Sequence, residues 1–119
     1  MNKKLQQELL REINKAKDDL TIVEGIKDKK SLESLGFKRI LLVKGPLFLM
    51  IENITKLNKK NKKINILTDL DKEGRQIHHI LKDELCRRGI KCNDRLREIL
   101  FKTELRQIEG LKNYLEKEE

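Results

Sequence analysis

The sequence predicts an α/β fold, a parallel sheet of about four strands with helices on both faces. Three observations predict it. Short apolar, β-branched runs alternate with stretches of helical periodicity. Each run stops at a charged residue or glycine rather than at a hairpin turn. The run Arg39–Val43 carries four apolar residues in a row, as a strand covered on both faces should. Strands separated by helices in this way form right-handed β-α-β crossovers, so their carboxyl ends open on one edge.

Residues 2–18 read as an amphipathic helix, with Leu5, Leu9, Ile13 and Ala16 at helical spacing, suited to covering a sheet face or edge. The first strand is Leu20–Val23, ending at Glu24-Gly25, where Gly25 is expected to let the chain turn sharply. Asp28 is the expected N-cap of a short helix through Leu35, closed by Gly36. The second strand ends at Lys44-Gly45, and Pro46 suits the first turn of the next helix. That helix shows one apolar stripe, Leu47, Met50, Ile51, Ile54 and Leu57.

The third strand, Ile64–Thr68, leads into Asp69-Leu70-Asp71-Lys72-Glu73-Gly74-Arg75. Strand side chains alternate, so Asp69 and Asp71 point the same way while Leu70 points into the core. The helix that follows carries Ile77, Ile80, Leu81 and Leu85 and ends at Gly89; Ile90–Cys92 is a short fourth strand. From Arg95 the chain is helical, with Leu96, Ile99, Leu100, Leu105, Ile108, Leu111 and Leu115 as buried positions and a break at Gly110. The organisation is thus one domain: an N-terminal helix (1–19), a core (20–95) and a C-terminal helical tail (96–119) whose last acidic residues are frayed.

Composition narrows function. A net charge of +8 points to a polyanionic partner. Aromatic content of 3% is low for a single-strand binder that works by stacking bases. The chain shows no bilayer-length apolar run and no signal peptide, which predicts a cytoplasmic protein with no membrane partner. Cys86 and Cys92 fit no zinc or redox spacing and read as free thiols. His78 and His79 point about 100° apart on a helix and cannot grip one ion together. They read as structural or surface residues.

Two close carboxylates repel unless a cation lies between them, and hard oxygen ligands in small number suit Mg²⁺. With strand one central, Glu24 would reach the same edge as Asp69 and Asp71. From the Asp-x-Asp alone, capping of the next helix is an equally good reading. Lys44, Lys72 and Arg75 lie near this edge, either as phosphate-binding groups or as ordinary solvated charge. The run Lys59-Lys60-Asn61-Lys62-Lys63 falls at the opposite end of the sheet, and reads as a solvated cluster favouring a helix dipole rather than a nucleic-acid patch.

Glu24-Gly25 after an apolar strand, followed by Asp69-Leu70-Asp71 and Gly74 after another, resembles the Toprim domain. That domain is shared by type IA and type II topoisomerases, bacterial primases, some nucleases and recombination-mediator proteins. The resemblance implies a three-layer, Rossmann-like fold over roughly residues 20–95. It implies Glu24 as general acid or base and Asp69 and Asp71 as holders of Mg²⁺, with Mn²⁺ as a substitute. Asp28 matches the acidic residue often found shortly after the glutamate, and Glu73-Gly74 resembles the acidic-glycine continuation of topoisomerases. Gly25, Gly45 and Gly74 would serve the backbone turns.

Topoisomerases take a nucleophilic tyrosine from another domain, and the one tyrosine here, Tyr114, lies in the tail. Primases add zinc-binding and polymerase regions that this length does not hold. A stand-alone Toprim domain is most similar to small relatives of the ribonucleases that mature ribosomal RNA. The expected function is therefore Mg²⁺-dependent action on RNA or DNA phosphodiesters, as a nuclease. The alternatives are a non-catalytic nucleic-acid-binding or accessory module, and primase-like nucleotidyl transfer with a protein partner. A homo-oligomer is a further arrangement open to so short a chain.

Overall fold

A computed structural model describes residues 3–59, 61–103, 105 and 107–116. Lys60 of the lysine run and the acidic end at 117–119, expected to be frayed, lie outside the described residues. The chain runs α1 (Lys3–Ala16), β1 (Thr21–Val23), α2 (Ile26–Ser34), β2 (Ile40–Leu42), α3 (Leu47–Leu57), β3 (Asn65–Ile66), α4 (Lys72–Arg87) and α5 (Arg95–Phe101). A 3₁₀ turn, Ile108–Gly110, then leads into α6 (Leu111–Glu116).

The three strands are parallel in the order β2-β1-β3. Thr21, Ile22 and Val23 pair with Ile40, Leu41 and Leu42, and Thr21 and Ile22 pair with Asn65 and Ile66. The expected fourth strand is a single parallel bridge, Ile64 to Cys92, on the far side of β3. The central strand β1 is buried along its whole length, whereas β2, at the sheet edge, is only half-buried.

Period-two alternation in β1 sorts the core into two layers. Val23 faces one side, packed with Leu9, Ile13 and Ala16 of α1, Leu32 of α2, Leu96, Ile99 and Leu100 of α5, and Ile108, Leu111 and Tyr114 of the tail. Ile22 faces the other, with Met50, Ile51 and Ile54 of α3 and Leu81 and Leu85 of α4. Helices therefore cover both faces, and the tail belongs to the same core as α1. Two residues expected on buried stripes, Leu57 and Ile80, are exposed, and Leu5, Leu47, Ile77, Leu105 and Leu115 are half-buried.

Two local details also differ from expectation. The short helix after β1 begins earlier, with Gly25 rather than Asp28 as N-cap. Asp28 sits three residues into the helix and accepts a hydrogen bond from the Gly25 N–H at 3.0 Å, the returning half of a capping box. Gly25 itself has φ −141° and ψ 171°, an extended conformation open to any residue, so no sharp glycine turn occurs there. In the tail, the helix ends at Phe101, well before Gly110.

One buried polar side chain ties α1 to the sheet. Asn65 is fully buried in β3, and its Nδ2 donates to the Ala16 carbonyl at 2.9 Å and to Thr21 Oγ1 at 3.0 Å. Replacing it with alanine leaves the buried Ala16 carbonyl without this donor. Asn65→Ala is expected to lower unfolding stability by about 1–3 kcal/mol. Urea unfolding monitored by circular dichroism checks this, and an unchanged midpoint would show that the two bonds are dispensable.

Candidate functional site

The sheet ladder continues past the strand ends and carries the acids with it. Val43 N–H donates to the Val23 carbonyl at 2.9 Å, and Leu67 N–H to the Ile22 carbonyl at 2.8 Å. Glu24 thus leaves β1 beside the segment Leu67-Thr68-Asp69. Its carboxylate Oε2 accepts the Asp69 N–H at 2.7 Å. Glu24 and Asp69, 45 residues apart in sequence, are in direct contact.

The turn from β3 into α4 is built by three short-range features. Asp71 is the N-cap of α4, and its Oδ1 accepts the Gly74 N–H at 2.7 Å. Thr68 Oγ1, fully buried, donates to the Gly74 carbonyl at 2.6 Å. A Cβ built on Gly74 would collide with the backbone of Asp69, so glycine is required by close approach inside the first helical turn. Gly45, by contrast, has φ 66°, the left-handed region that favours glycine, in open space after β2.

The tail closes the site from the other side. Asp69 Oδ1 accepts the Ile108 N–H at 3.1 Å, and Asp28 accepts the Glu109 N–H. Arg97 of α5, 5% exposed, lies over the Phe101 ring at 4.6 Å and donates from Nη2 to the Asp69 carbonyl at 3.2 Å. Neither Arg97 nor the 108–109 amides stood out in the sequence. Arg97 borders the apolar stripe Leu96, Ile99, Leu100 and sits four residues before Phe101, a pattern that could have marked it as a buried cation. Main-chain amides carry no residue signature at all.

The electrostatics follow from this crowding. Burial pushes the Glu24 carboxyl above its ordinary value; the Asp69 amide pulls it back, while Asp69, Asp71 and Glu73 push it up further. Asp69 is raised by burial and by Asp71, against the opposing pull of the Ile108 amide. Asp28 is raised by burial and by the Asp69 charge. No lysine or arginine forms an ion pair with any of these acids among the described residues. Lys44, Lys72 and Arg75 are exposed at the same edge, with Lys72 and Arg75 in the first turn of α4. His78 is half-buried and pairs with Asp94, while His79 is exposed.

Residues 19–99 match the model of the Toprim domain. The protein belongs to the Toprim domain family. It is 35% identical over 107 residues to UPF0292 protein MJ1624 of Methanocaldococcus jannaschii, an alignment covering 86% of this chain and 82% of that one. It is also similar to a solved structure of a protein from Aquifex aeolicus, with a TM-score of 0.70 and 27% identity. That likeness covers 90% of this chain and 94% of the other. The family supports a nucleic-acid-related, metal-binding domain.

Toprim domains generally bind Mg²⁺, and the donor chemistry here fits such an ion. The acids offer hard oxygens, and their proton affinities are raised first by burial and then by one another's charge. The donors are not gathered into a ready grip: among the described residues, no three acidic, histidine or cysteine side chains converge on one point. Asp69 and Asp71 each have one oxygen engaged by a backbone amide. No helix among the described residues is long and apolar enough to cross a membrane.

The raised carboxyls make stability pH-dependent in a stated direction. A carboxyl with a raised folded-state pKa holds its proton more tightly in the folded chain. Its contribution is full below the unfolded value and is lost as pH rises through the folded value. For Asp69 the contribution is lost as pH rises from the ordinary value of 3.8 through the raised folded-state value. Asp69→Asn keeps an oxygen for the Ile108 amide and removes the charge. It is expected to melt higher than wild type at neutral pH in the absence of metal, with the gap closing as pH falls towards 3.8. Thermal melts across that range check this; a variant less stable than wild type at neutral pH would mean that the carboxylate is held by attraction rather than crowded by repulsion.

Proposed function

We propose that this Toprim protein hydrolyses nucleic-acid phosphodiesters with Mg²⁺, acting as an RNA or DNA nuclease. The observation that carries the reading is the placement of Glu24 beside Asp69 and within electrostatic reach of Asp71 on one edge of the sheet, with no ion pair to these acids among the described residues. Asp69 and Asp71 are the residues that would hold the ion. They are anchored by the Ile108 and Gly74 amides, which fix their orientation. Asp28 and Glu73 are further acids within electrostatic reach. When bound, Mg²⁺, or Mn²⁺ in its place, supplies charge neutralisation to the phosphate under attack.

Glu24 is the proposed acid–base group. Its raised proton affinity moves it towards the pH at which it can both take and return a proton. It would act on one side of the displacement. As a carboxylate it would take a proton from the attacking water, with solvent protonating the leaving oxygen; as a carboxylic acid it would protonate the leaving oxygen, with solvent taking the proton of the water. Lys44, Lys72 and Arg75, exposed at the same edge, would contact flanking phosphates.

A second reading is a binding or accessory module that keeps the acids without turnover. The absence of a preformed three-donor group among the described residues favours it. The two separate on one experiment. Purified protein is incubated with end-labelled RNA and DNA in Mg²⁺, beside Glu24→Gln and a chelator control. The nuclease reading expects Mg²⁺-dependent cleavage that falls by about 10²–10⁴-fold in Glu24→Gln. No cleavage of either polymer by wild type, with binding retained, supports the accessory module instead.

A further inference from the structure

The net charge of +8 does not reside at the acid edge, where Glu24, Asp28, Asp69, Asp71, Glu73 and Glu109 gather. Much of it lies at the other end of the sheet. There the loop after α3 and the turn after α4 form the two walls of a cleft. Lys59, Lys62 and Lys63 line one wall, Arg88 and Lys91 the other, and no acidic side chain lines it among the described residues.

The cleft has a defined backbone. Ile64 N–H donates to the Lys91 carbonyl at 3.0 Å, stitching the two walls beside the Ile64–Cys92 bridge. Lys62 N–H donates to the Lys59 carbonyl at 3.1 Å, and Asn58 Nδ2 to the Lys62 carbonyl at 3.2 Å. Asn61, at φ 64°, makes the left-handed bend that folds the loop back on itself. The lysines are therefore not part of the last helical turn, which carries Lys56, and their position is not explained by the dipole of α3.

Charge magnitudes decide what this cleft attracts. The carboxyl ends of α3 and α4 both approach it, bringing together about one unit of negative charge. Arg88 is paired with Glu52 at 2.8 Å and is largely neutralised. Lys59, Lys62, Lys63 and Lys91 enter no ion pair among the described residues. Four unpaired cations outweigh the helix ends, and a concave surface concentrates their field.

We infer that this cleft is a second docking site, for the phosphodiester backbone of nucleic acid, remote from the acids. The inference rests on the nucleic-acid reading above and locates the grip that the acid edge, negative without its metal, does not provide. The 16-residue helix α4 separates the two places. At 1.5 Å per residue that is about 24 Å. One strand of a duplex, with a phosphate per 3.4 Å of axis, spans it in about seven nucleotides, and a more extended single strand needs fewer. A long polymer can thus be held at the cleft while another stretch of it lies at the acids, and a mononucleotide cannot.

The test is binding of fluorescent single-stranded RNA and DNA of about 20 nucleotides, by anisotropy in chelator, across a salt series. The cleft variant replaces Lys59, Lys62, Lys63 and Lys91 with Gln. The control replaces Lys3, Arg11, Lys38 and Lys102, exposed residues elsewhere, and so has the same net charge. The cleft variant is expected to lose at least about tenfold in affinity, with a log–log salt slope shallower by about three, while the control stays near wild type. Equal losses in both variants would overturn the cleft as a site and leave only general attraction. Competition by a mononucleotide as effective as by the oligomer would show a small-phosphate pocket and overturn the polymer assignment. Wild-type protein that binds neither polymer would overturn this inference and the nucleic-acid reading together, whereas binding unaffected by the cleft variant would sink the inference alone.

Discussion

The hydrogen bond from the Asp69 amide to the Glu24 carboxylate, 2.7 Å long, joins the ends of two neighbouring strands. It forms because β1 is central and β3 runs parallel beside it, so both strands deliver their carboxyl ends to the same place. The contact carries a conflict. It holds Glu24 by its charge, yet it brings that charge against Asp69, Asp71 and Glu73. Among the described residues the carboxylate oxygens of these acids are held by backbone amides rather than by ion pairs, while Arg97 holds the Asp69 carbonyl. Ile108 holds Asp69, Gly74 holds Asp71, and Gly25 and Glu109 hold Asp28. A lysine in their place would neutralise the charge and leave nothing for a metal to bind.

The same arrangement divides the molecule electrostatically. Acids collect where the strands end and helix amino ends begin, at the N-terminus of α4. Lysines collect past the ends of α3 and α4, in the loop and turn that line the cleft. A basic protein with an acidic edge is physically consistent if the polymer is gathered by one end and processed at the other. The exposed Phe48 and Leu49 in the first turn of α3 add apolar surface near the acid edge, and nothing in the structure explains their exposure.

Much of this was legible in the residues. Parallel topology was enough to bring Glu24 beside Asp69, but strand periodicity was not what placed the aspartates. The strand expected at Ile64–Thr68 is only Asn65–Ile66, and Asp69 and Asp71 lie beyond it in the turn, where Asp71 caps α4. The two-faced core was legible because Leu9, Ile13, Ile51, Ile54, Leu81 and Leu85 keep helical spacing. Other features depended on tertiary contact. Asp28 looks like an N-cap, but the helix starts three residues earlier because its carboxylate can reach back to Gly25. The tail reads as an appendage because the Ile108 and Glu109 contacts to the acids are made by main-chain amides. The fourth strand shrinks to a bridge because only Ile64 meets Cys92 before the chain turns into α5. The lysine run was read as a helix end because the left-handed bend at Asn61 is invisible to periodicity.

The central claim is that Asp69 and Asp71 form the cation site while Glu24 serves the proton. Thermal melting with and without Mg²⁺ tests it most directly, on wild type, Asp69→Asn, Asp71→Asn and Glu24→Gln. Asn is as good a helix N-cap as Asp, so Asp71→Asn removes charge without removing the cap. An amide oxygen is a much poorer Mg²⁺ ligand than a carboxylate. Mg²⁺ is predicted to raise the melting temperature of wild type and of Glu24→Gln, and to leave both aspartate variants nearly unmoved. An equal rise in Asp69→Asn or Asp71→Asn would contradict the assignment of these aspartates to the metal.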